Sequence, residues 1–230
     1  MKRTCFLYLV LAAALAGGCR GSEPDKAAAP PADSAAVGTS GAAGDVRAAD
    51  RDFVRDVALA NMAEIEMARL ALERGADANV KKFAQMMVDD HGKSGSRLQA
   101  VVAPHRIEIP AQLDDNHQDK AKKLAGKSAA DFDRAYADAM VEGHEDLVGR
   151  LEARIDRDTL AEWKTKNQDP VTGKKVEAKG EAVAVMAEKS DNPVASSLNQ
   201  WAAETYPVAF AHLQAAKDLQ KGVKRRATTP

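Results

Sequence analysis

The chain has 230 residues, of which 45% are hydrophobic and only 4% are aromatic, and its formal net charge is −1. Because its charges nearly balance, no strong overall field attracts nucleic acid or an acidic substrate. The sequence contains no glycine-rich phosphate loop, no zinc-finger spacing and no basic patch with interleaved aromatic residues, so nucleic acid is not an expected partner. A composition rich in Ala, Leu, Val and Met and poor in aromatic residues favours close-packed helices over a β-sandwich.

The N-terminus has the pattern of an export signal. Two positive charges at positions 2 and 3 precede an uncharged run over residues 4–18, which is too short to span a bilayer but fits the apolar part of a signal peptide. The run ends in Leu15-Ala16-Gly17-Gly18-Cys19, which resembles the bacterial lipobox. We therefore predict a lipoprotein-type signal peptide over residues 1–18 and acylation of Cys19. The alternative is ordinary signal-peptidase cleavage nearby, with Cys19 incidental.

These features predict an exported protein that an N-terminal lipid holds on the periplasmic side of the bacterial envelope. Arg20 follows Cys19 where sorting signals for the inner membrane have an aspartate, and by resemblance to enterobacterial sorting this favours the outer membrane. Residues 19–45, which begin with the lipidated Cys19, are rich in Ala, Pro, Gly and Ser without periodic hydrophobicity, and they predict a disordered tether. Cys5 leaves with the signal and lipid consumes Cys19, so no disulfide is expected in the mature chain.

Residues 46–222 predict an all-α domain, a four-helix bundle, because four long segments have helical hydrophobic periodicity. The expected long helices cover residues 47–74, 77–103, 129–156 and 192–221. Gly75 is expected to end the first helix, Pro104 to end the second and Ser128 to cap the third. The short break after the first helix predicts that the second packs antiparallel against it.

The connections between these helices are less regular. A short extra helix is expected over residues 111–125, between the second and third long helices. Residues 157–191 predict an irregular insertion between the third and fourth, for which a loose hairpin and a partial helix both remain open. Residues 223–230 predict a basic, disordered tail. The positive charge of this end fits a solvated helix terminus, or contact with anionic lipid, a cell-wall polymer or another envelope component.

Each long helix places one ionisable residue in or beside its apolar stripe. At about 100° per residue, Glu64 and His91 lie near the centres of their stripes, while His144 and His212 lie at the edges of theirs. A rise of about 1.5 Å per residue brings Glu64 and His91 within one helical turn of the same height. If the connection after the second helix crosses over, the other two lie within two turns of that height. Buried groups of this kind must satisfy each other or bind something.

Two interpretations of Glu64, His91, His144 and His212 remain open. In the first, they form a buried polar network, with ionised Glu64 against a protonated imidazole, which fixes the register of the helices. In the second, they are the ligands of one divalent transition metal ion, with Fe, Zn, Cu and Ni as the candidates. In that case Asp90 could accept a hydrogen bond from one of the metal ligands without binding the metal itself. The alternative is that Asp90 is simply a solvated residue on the flank of its helix.

The sequence does not support a dinuclear iron centre or a catalytic residue. A di-iron bundle needs a Glu-x-x-His pair on two helices, and the long helices lack this spacing. Only Asp114-x-x-His117 approaches it, and that pair lies on the short helix. Ser and Thr residues are scattered without the surroundings of an activated nucleophile.

Several groups of spaced residues form a familiar pattern. They are Phe53…Ala58-x-x-Asn61-x-x-Glu64-Ile65, Val80-x-x-Phe83-Ala84-x-x-Met87-x-x-Asp90-His91, Phe132-Asp133-x-x-Tyr136-x-x-x-Met140-x-x-Gly143-His144 and Pro207-x-x-x-x-His212-Leu213. Together they resemble the bacterial family catalogued as domain of unknown function 4142, over about residues 46–156 and 192–220. The resemblance implies a ferritin-like bundle and an exported protein of the outer membrane, and it implies no reaction. We therefore expect a lipid-anchored envelope protein with a structural or stress-related role, and the alternative is a ferritin-like metal-binding protein.

Overall fold

The computed structural model describes residues 45–167 and 184–227. Its helices are α1 (Ala48–Arg74), α2 (Ala78–Val102), α3 (Asp115–Ala125), α4 (Ala129–Glu152), α5 (Arg157–Asn167) and α6 (Pro193–Ala227). A short 3₁₀ turn follows α2, and one isolated bridge joins Ile155 to Ala187. The prediction of an all-α bundle is confirmed. The predicted signal peptide, Cys19 and nearly all of the tether lie outside the described residues.

The four long helices surround one axis in the order α1, α2, α6, α4. Neighbouring helices are antiparallel: Asp50 at the start of α1 contacts Arg154 just beyond the end of α4, and Arg97 late in α2 contacts Glu204 early in α6. Helices α2 and α4 therefore run in the same direction, and the connection between them crosses the length of the bundle. None of the described helices is long and apolar enough to cross a membrane.

The turn between α1 and α2 is held by Gly75 and a carboxylate from α4. A side chain on Gly75 would bring its Cβ to 2.6 Å from the carbonyl oxygen of Ala71, so only glycine fits this close turn. The carboxylate of Asp133 accepts the backbone N–H groups of Ala76 (3.1 Å) and Asp77 (2.8 Å). These bonds fix the α1–α2 hairpin against the start of α4.

Two predicted helix boundaries were wrong by one turn. Helix α3 begins at Asp115 rather than at residue 111, because the side chain of Asp114 accepts the backbone N–H of His117 and caps the helix there. Helix α4 ends at Glu152 rather than at residue 156. The backbone beyond it bonds instead to a later segment, with the N–H of Asp156 donating to Met186 O at 2.9 Å.

The insertion predicted as irregular over residues 157–191 contains the helix α5. Its Leu160 and Trp163 are buried, and the Trp163 ring packs edge-on against Tyr206 and Phe210 of α6, with ring centroids 5.2 and 5.3 Å apart. These are the only two buried residues of α5, and their contacts with apolar residues of α6 hold the short helix in place. Periodicity within so short a segment could not show this.

The C-terminal residues predicted as a disordered tail continue α6 as far as Ala227. Val223 is buried in the core, and Arg226 forms an ion pair with Asp77 at the start of α2. The basic end is therefore packed against the α1–α2 turn. The prediction of a disordered tail was based on the local charge, which does not indicate contacts with distant residues.

The core consists of two apolar clusters. One cluster includes Phe53, Leu98, Leu151, Trp163, Leu198 and Trp201. The other includes Met67, Phe83, Met87, Phe132, Tyr136 and Met140. On each long helix, one buried polar residue lies at or next to the boundary between the stretch that contributes to the first cluster and the stretch that contributes to the second. The bundle thus has a polar layer near the middle of its length.

A buried ion pair closes the bundle at the end away from the α1–α2 turn. The carboxylate of Asp50 is fully buried and accepts hydrogen bonds from Arg47 at 2.7 Å and from Arg154 at 2.9 Å. Arg154 also donates to Asn199 of α6 at 3.2 Å and lies over the ring of Phe53. Burial by itself raises the pKa of Asp50, but the hydrogen bonds and charges of the two arginines outweigh it and bring the pKa below its ordinary value.

Asp50→Asn tests this ion pair. We expect the free energy of unfolding to fall by about 3–5 kcal/mol at neutral pH, because the charge of Arg154 is left without its partner. Since the folded-state pKa of Asp50 is depressed, the contribution is fully present above about pH 4 and is lost as the pH falls through the folded-state pKa. Urea denaturation followed by circular dichroism across this pH range measures both effects.

Asp52→Asn is the matched control. Asp52 pairs with Arg55 at 2.8 Å, but both side chains are more than half exposed. Exposed ion pairs contribute about 0–1 kcal/mol, so this substitution should change the free energy of unfolding by no more than that. Equal losses for the two variants would contradict a special role for Asp50.

Candidate metal centre

The structure brings together the four ionisable residues that the sequence places inside the bundle. Glu64, His91, His144 and His212 are only 2%, 5%, 0% and 6% exposed, and we call them the central cluster. The centroids of the three imidazole rings are 5.4–5.6 Å apart, and one nitrogen of each ring lies within 4.8 Å of the other two. Oε2 of Glu64 lies 3.0 Å from Nε2 of His91, and its Oε1 lies 3.5 Å from Nδ1 of His144.

Each imidazole is oriented by an oxygen that accepts one of its N–H groups. The three hydrogen bonds run from His91 Nδ1 to Asn61 Oδ1 (3.0 Å), from His144 Nδ1 to Met140 O (2.9 Å) and from His212 Nε2 to Asp90 Oδ2 (3.2 Å). A neutral imidazole that donates from one nitrogen has a lone pair on the other. The cluster therefore contains three lone pairs: on Nε2 of the first two rings and on Nδ1 of the third.

Several atoms of the central cluster lack hydrogen-bond partners. Among the described residues, six buried side-chain nitrogen or oxygen atoms have no partner, and five of them are the two Glu64 oxygens, His91 Nε2, His144 Nε2 and the Tyr136 hydroxyl. Although Glu64 and His91 approach to 3.0 Å, the two atoms are not aligned as a hydrogen bond. Buried polar groups in native proteins are nearly always paired, so these atoms call for a partner that the chain does not supply.

Burial keeps the imidazoles neutral. It lowers the pKa of His91 to about 4, and the charge of Glu64 offsets this effect only in part. It also lowers the pKa of His144 to about 4, with a small opposing effect from the Met140 carbonyl. The pKa of His212 is lowered mainly by burial, and burial raises the pKa of Glu64 despite the nearby His91. Burial thus disfavours the ion pair between Glu64 and a protonated imidazole that the network interpretation assumes.

Three residues of this centre were not predicted as site residues. Gly143 lets α4 approach Glu64 closely, because a Cβ at this position would lie 2.5 Å from Oε1 of Glu64. Asn61 orients His91, and the spacing of three between Asn61 and Glu64, which places both on one helix face, was the available signal. Tyr136 was named only as part of the family pattern, and the sequence contains no signal for its unpaired hydroxyl.

Asp90 and the pair Asp114–His117, which were also considered from the sequence, have clear structural partners. Asp90 accepts from His212 of the neighbouring helix and not from the adjacent His91. The carboxylate of Asp114 accepts both the backbone N–H and the ring N–H of His117, so this pair caps α3 and takes no part in the central cluster.

The fold and the site together define a helical-bundle protein with a buried centre of one carboxylate and three imidazoles. The chain belongs to the family described as "Domain of unknown function (DUF4142)", whose family model matches residues 35–169. The matched residues include Glu64, His91 and His144, whereas His212 lies beyond them. No curated protein and no solved structure matches the chain.

Gly143→Ala tests the close approach of α4 to Glu64. The added Cβ would displace the carboxylate or the helix, so we expect a loss of about 1–3 kcal/mol in the free energy of unfolding. Gly149→Ala in the same helix is the control, since a Cβ there meets nothing within 4 Å. Because alanine favours helix more than glycine, this control should gain up to about 1 kcal/mol. Thermal denaturation distinguishes the two, and effects of the same sign would contradict the packing described.

Proposed function

We propose that the protein binds one divalent transition metal ion at the centre of the bundle, through one nitrogen of each imidazole of the central cluster and the carboxylate of Glu64. The observation that carries this proposal is the orientation of the three rings. Each ring gives one N–H to an oxygen acceptor and keeps the other nitrogen as a lone pair. Metal-binding histidines have this arrangement, because the outer hydrogen bond fixes the tautomer and makes the free nitrogen a better ligand.

The distances suit a single ion. Bonds of about 2.0–2.2 Å from one ion to its ligands place those ligand atoms about 3–4 Å apart. The 3.0 Å between Glu64 Oε2 and His91 Nε2 falls in this range. The three imidazole nitrogens, within 4.8 Å of one another, need to approach by about 1 Å or less, which side-chain rotation can supply.

The donor set selects the class of metal. Three imidazoles and one carboxylate suit Zn²⁺, Fe²⁺, Cu²⁺ or Ni²⁺, whereas Mg²⁺ and Ca²⁺ take oxygen ligands. A divalent ion would also neutralise Glu64 and satisfy the unpaired imidazole nitrogens in a single step. The alternative, a purely architectural network, leaves those atoms without partners, which is the reason we favour the metal.

The connectivity of the bundle also supports the proposal. Ferritin-like bundles have one long crossover connection, and they build metal sites in the core from side chains on facing helices. Here the connection between the parallel helices α2 and α4 has the same character. The four proposed ligands come from four different helices, so the ion would also join all four helices at one level.

Metal analysis tests the proposal directly. Protein stripped with a chelator and then incubated with excess Zn²⁺ should retain about one ion per chain after gel filtration, and its unfolding midpoint should rise because only the folded chain binds the ion. The double variant His91→Ala, His144→Ala should lose at least about 90% of this metal, since two ligands are gone.

His117→Ala is the control for this experiment, because His117 caps α3 and lies outside the central cluster. Its metal content should equal that of the wild type. If the wild-type protein holds no stoichiometric metal, or if the double variant holds as much as the wild type, the proposal fails.

We further propose that the bundle is attached to the periplasmic face of the envelope through a lipid on Cys19. The support is the sequence pattern of residues 1–19 described above. The segment over residues 20–45 would give the bundle a typical reach of roughly 25–30 Å from the membrane if it behaves as a flexible chain.

Cys19→Ser tests the anchor. Without the thiol no lipid can be attached, so the protein expressed in a bacterial host should move from the membrane fraction to the soluble fraction. Immunoblots of fractionated cells measure this distribution, with Cys5→Ser as the control, since Cys5 lies within the predicted signal. A Cys19→Ser protein that stays with the membrane would show that another anchor exists.

A further inference from the structure

The central cluster lies between two spaces of very different size. On one side a cavity of about 40 Å³, bounded mainly by α1, α2 and α6, touches His91 and His212. On the other side a groove of about 750 Å³ runs between α3 and the pair α1 and α4. Glu64 is the only member of the cluster that lines this groove, which we call the α3 groove. A space of this volume can hold a small molecule, whereas the cavity has room for little more than water.

Gly143 makes the α3 groove continuous with the edge of the cluster. Gly143 is half-buried and lines the groove together with Glu64. Because this residue has no side chain, the Glu64 carboxylate lies directly beside it, and the same carboxylate contacts the imidazoles of His91 and His144. Both carboxylate oxygens are buried and without a hydrogen-bond partner. The base of the groove therefore contains a buried polar group without a hydrogen-bond partner, which native proteins rarely leave unsatisfied.

The rest of the floor is apolar and made largely of small side chains. Its residues are Ala60, Ala63, Met67, Ala135 and Ala139, and Leu124 of α3 faces them across the groove. Small side chains on α1 and α4 keep the two helices from filling the space under α3. Helix α3 is held over the groove by only two buried residues, Ala121 and Leu124. An apolar floor with one buried polar group at its base and charged side chains along its rim has the character of a small-molecule site.

The lysines on the α3 side of the groove favour an anion there. The acidic residues on its α4 side are all paired: Glu142 with Lys120 (3.2 Å), Glu145 with Lys217 (2.8 Å) and Asp146 with Arg150 (3.0 Å). Lys123 and Lys127 on the α3 side have no ion-pair partner among the described residues. Two lysines without an ion-pair partner therefore lie at the α3 side of the groove, and their charge would raise the local concentration of small anions there.

We propose that the α3 groove is the binding site of a small anion that coordinates the metal ion beside Glu64. This inference rests on the metal site proposed above. None of the three imidazoles lines the α3 groove, and among the described residues Glu64 is the member of the central cluster that borders a space large enough for a further ligand. A coordination position open to an exogenous ligand is what separates a reactive metal site from a structural one.

Azide is the probe for this inference. Protein loaded with Co²⁺ is first checked for metal content, and sodium azide is then titrated while the visible spectrum of the cobalt is recorded. A coordinated anion should change the cobalt spectrum in a saturable way. If cobalt does not bind, the proposed metal site fails and this inference fails with it. If cobalt binds stoichiometrically but azide leaves the spectrum unchanged, only this inference is overturned.

A pair of substitutions at Asp146 tests the route. Asp146 is exposed, lines the groove and follows Gly143 by three positions, so its side chain leans back over that glycine. Asp146→Phe should cover the opening and weaken azide binding at least about fivefold, with the cobalt content unchanged. Asp146→Ala removes the same charge without adding bulk and should bind azide at least as tightly as the wild type. Equal affinity of the two variants would overturn the route through the groove.

The lysines provide the second arm of the test. The double variant Lys123→Ala, Lys127→Ala should bind azide about threefold more weakly than the wild type at low salt, and the difference should vanish near 1 M salt, where charges are screened within about 3 Å. Loss of the difference with salt supports electrostatic attraction of the anion. An unchanged affinity at low salt would overturn the role assigned to the basic side of the groove.

Discussion

The approach of the Glu64 carboxylate to the imidazoles of His91 and His144 is the interaction around which the bundle is organised. It puts a polar layer between two apolar clusters and requires helices α1, α2, α4 and α6 to share one register at that height. Gly143 permits it sterically, since any larger residue would meet the carboxylate. The unpaired nitrogens and oxygens of this layer are costly in an apolar core, and the metal ion proposed above would remove that cost.

Polar contacts at the two ends of the bundle keep this layer aligned. At one end Asp133 holds the α1–α2 turn, and at the other the buried pair Asp50–Arg154 joins α1 to the end of α4. Each contact links elements that are far apart in the sequence, so each sets the position of one helix relative to another. The apolar clusters alone would tolerate small shifts between the helices, whereas these directional bonds do not.

The two faces of the centre differ in a way that bears on function. The imidazoles of His91 and His212 face a small cavity, while Glu64 faces the broad α3 groove with Lys123 and Lys127 at its side. A metal ion held here would be shielded on one side and approachable on the other. The long connection between α2 and α4 carries α3, so the same crossover that sets the helix directions also forms the roof of the groove.

The sequence by itself determined the long helices and the member of the central cluster on each of them, because both follow from a 3.6-residue periodicity that acts within one segment. Only the tertiary structure decided which atoms meet. The partners of the imidazoles, Asn61, Met140 and Asp90, are fixed by ring orientation and helix contact, which periodicity does not encode. Helix α5 and the end of α6 gain their burial from distant segments, so their local sequence was insufficient. The α3 groove likewise exists only because small residues on α1 and α4 face a third helix across the bundle.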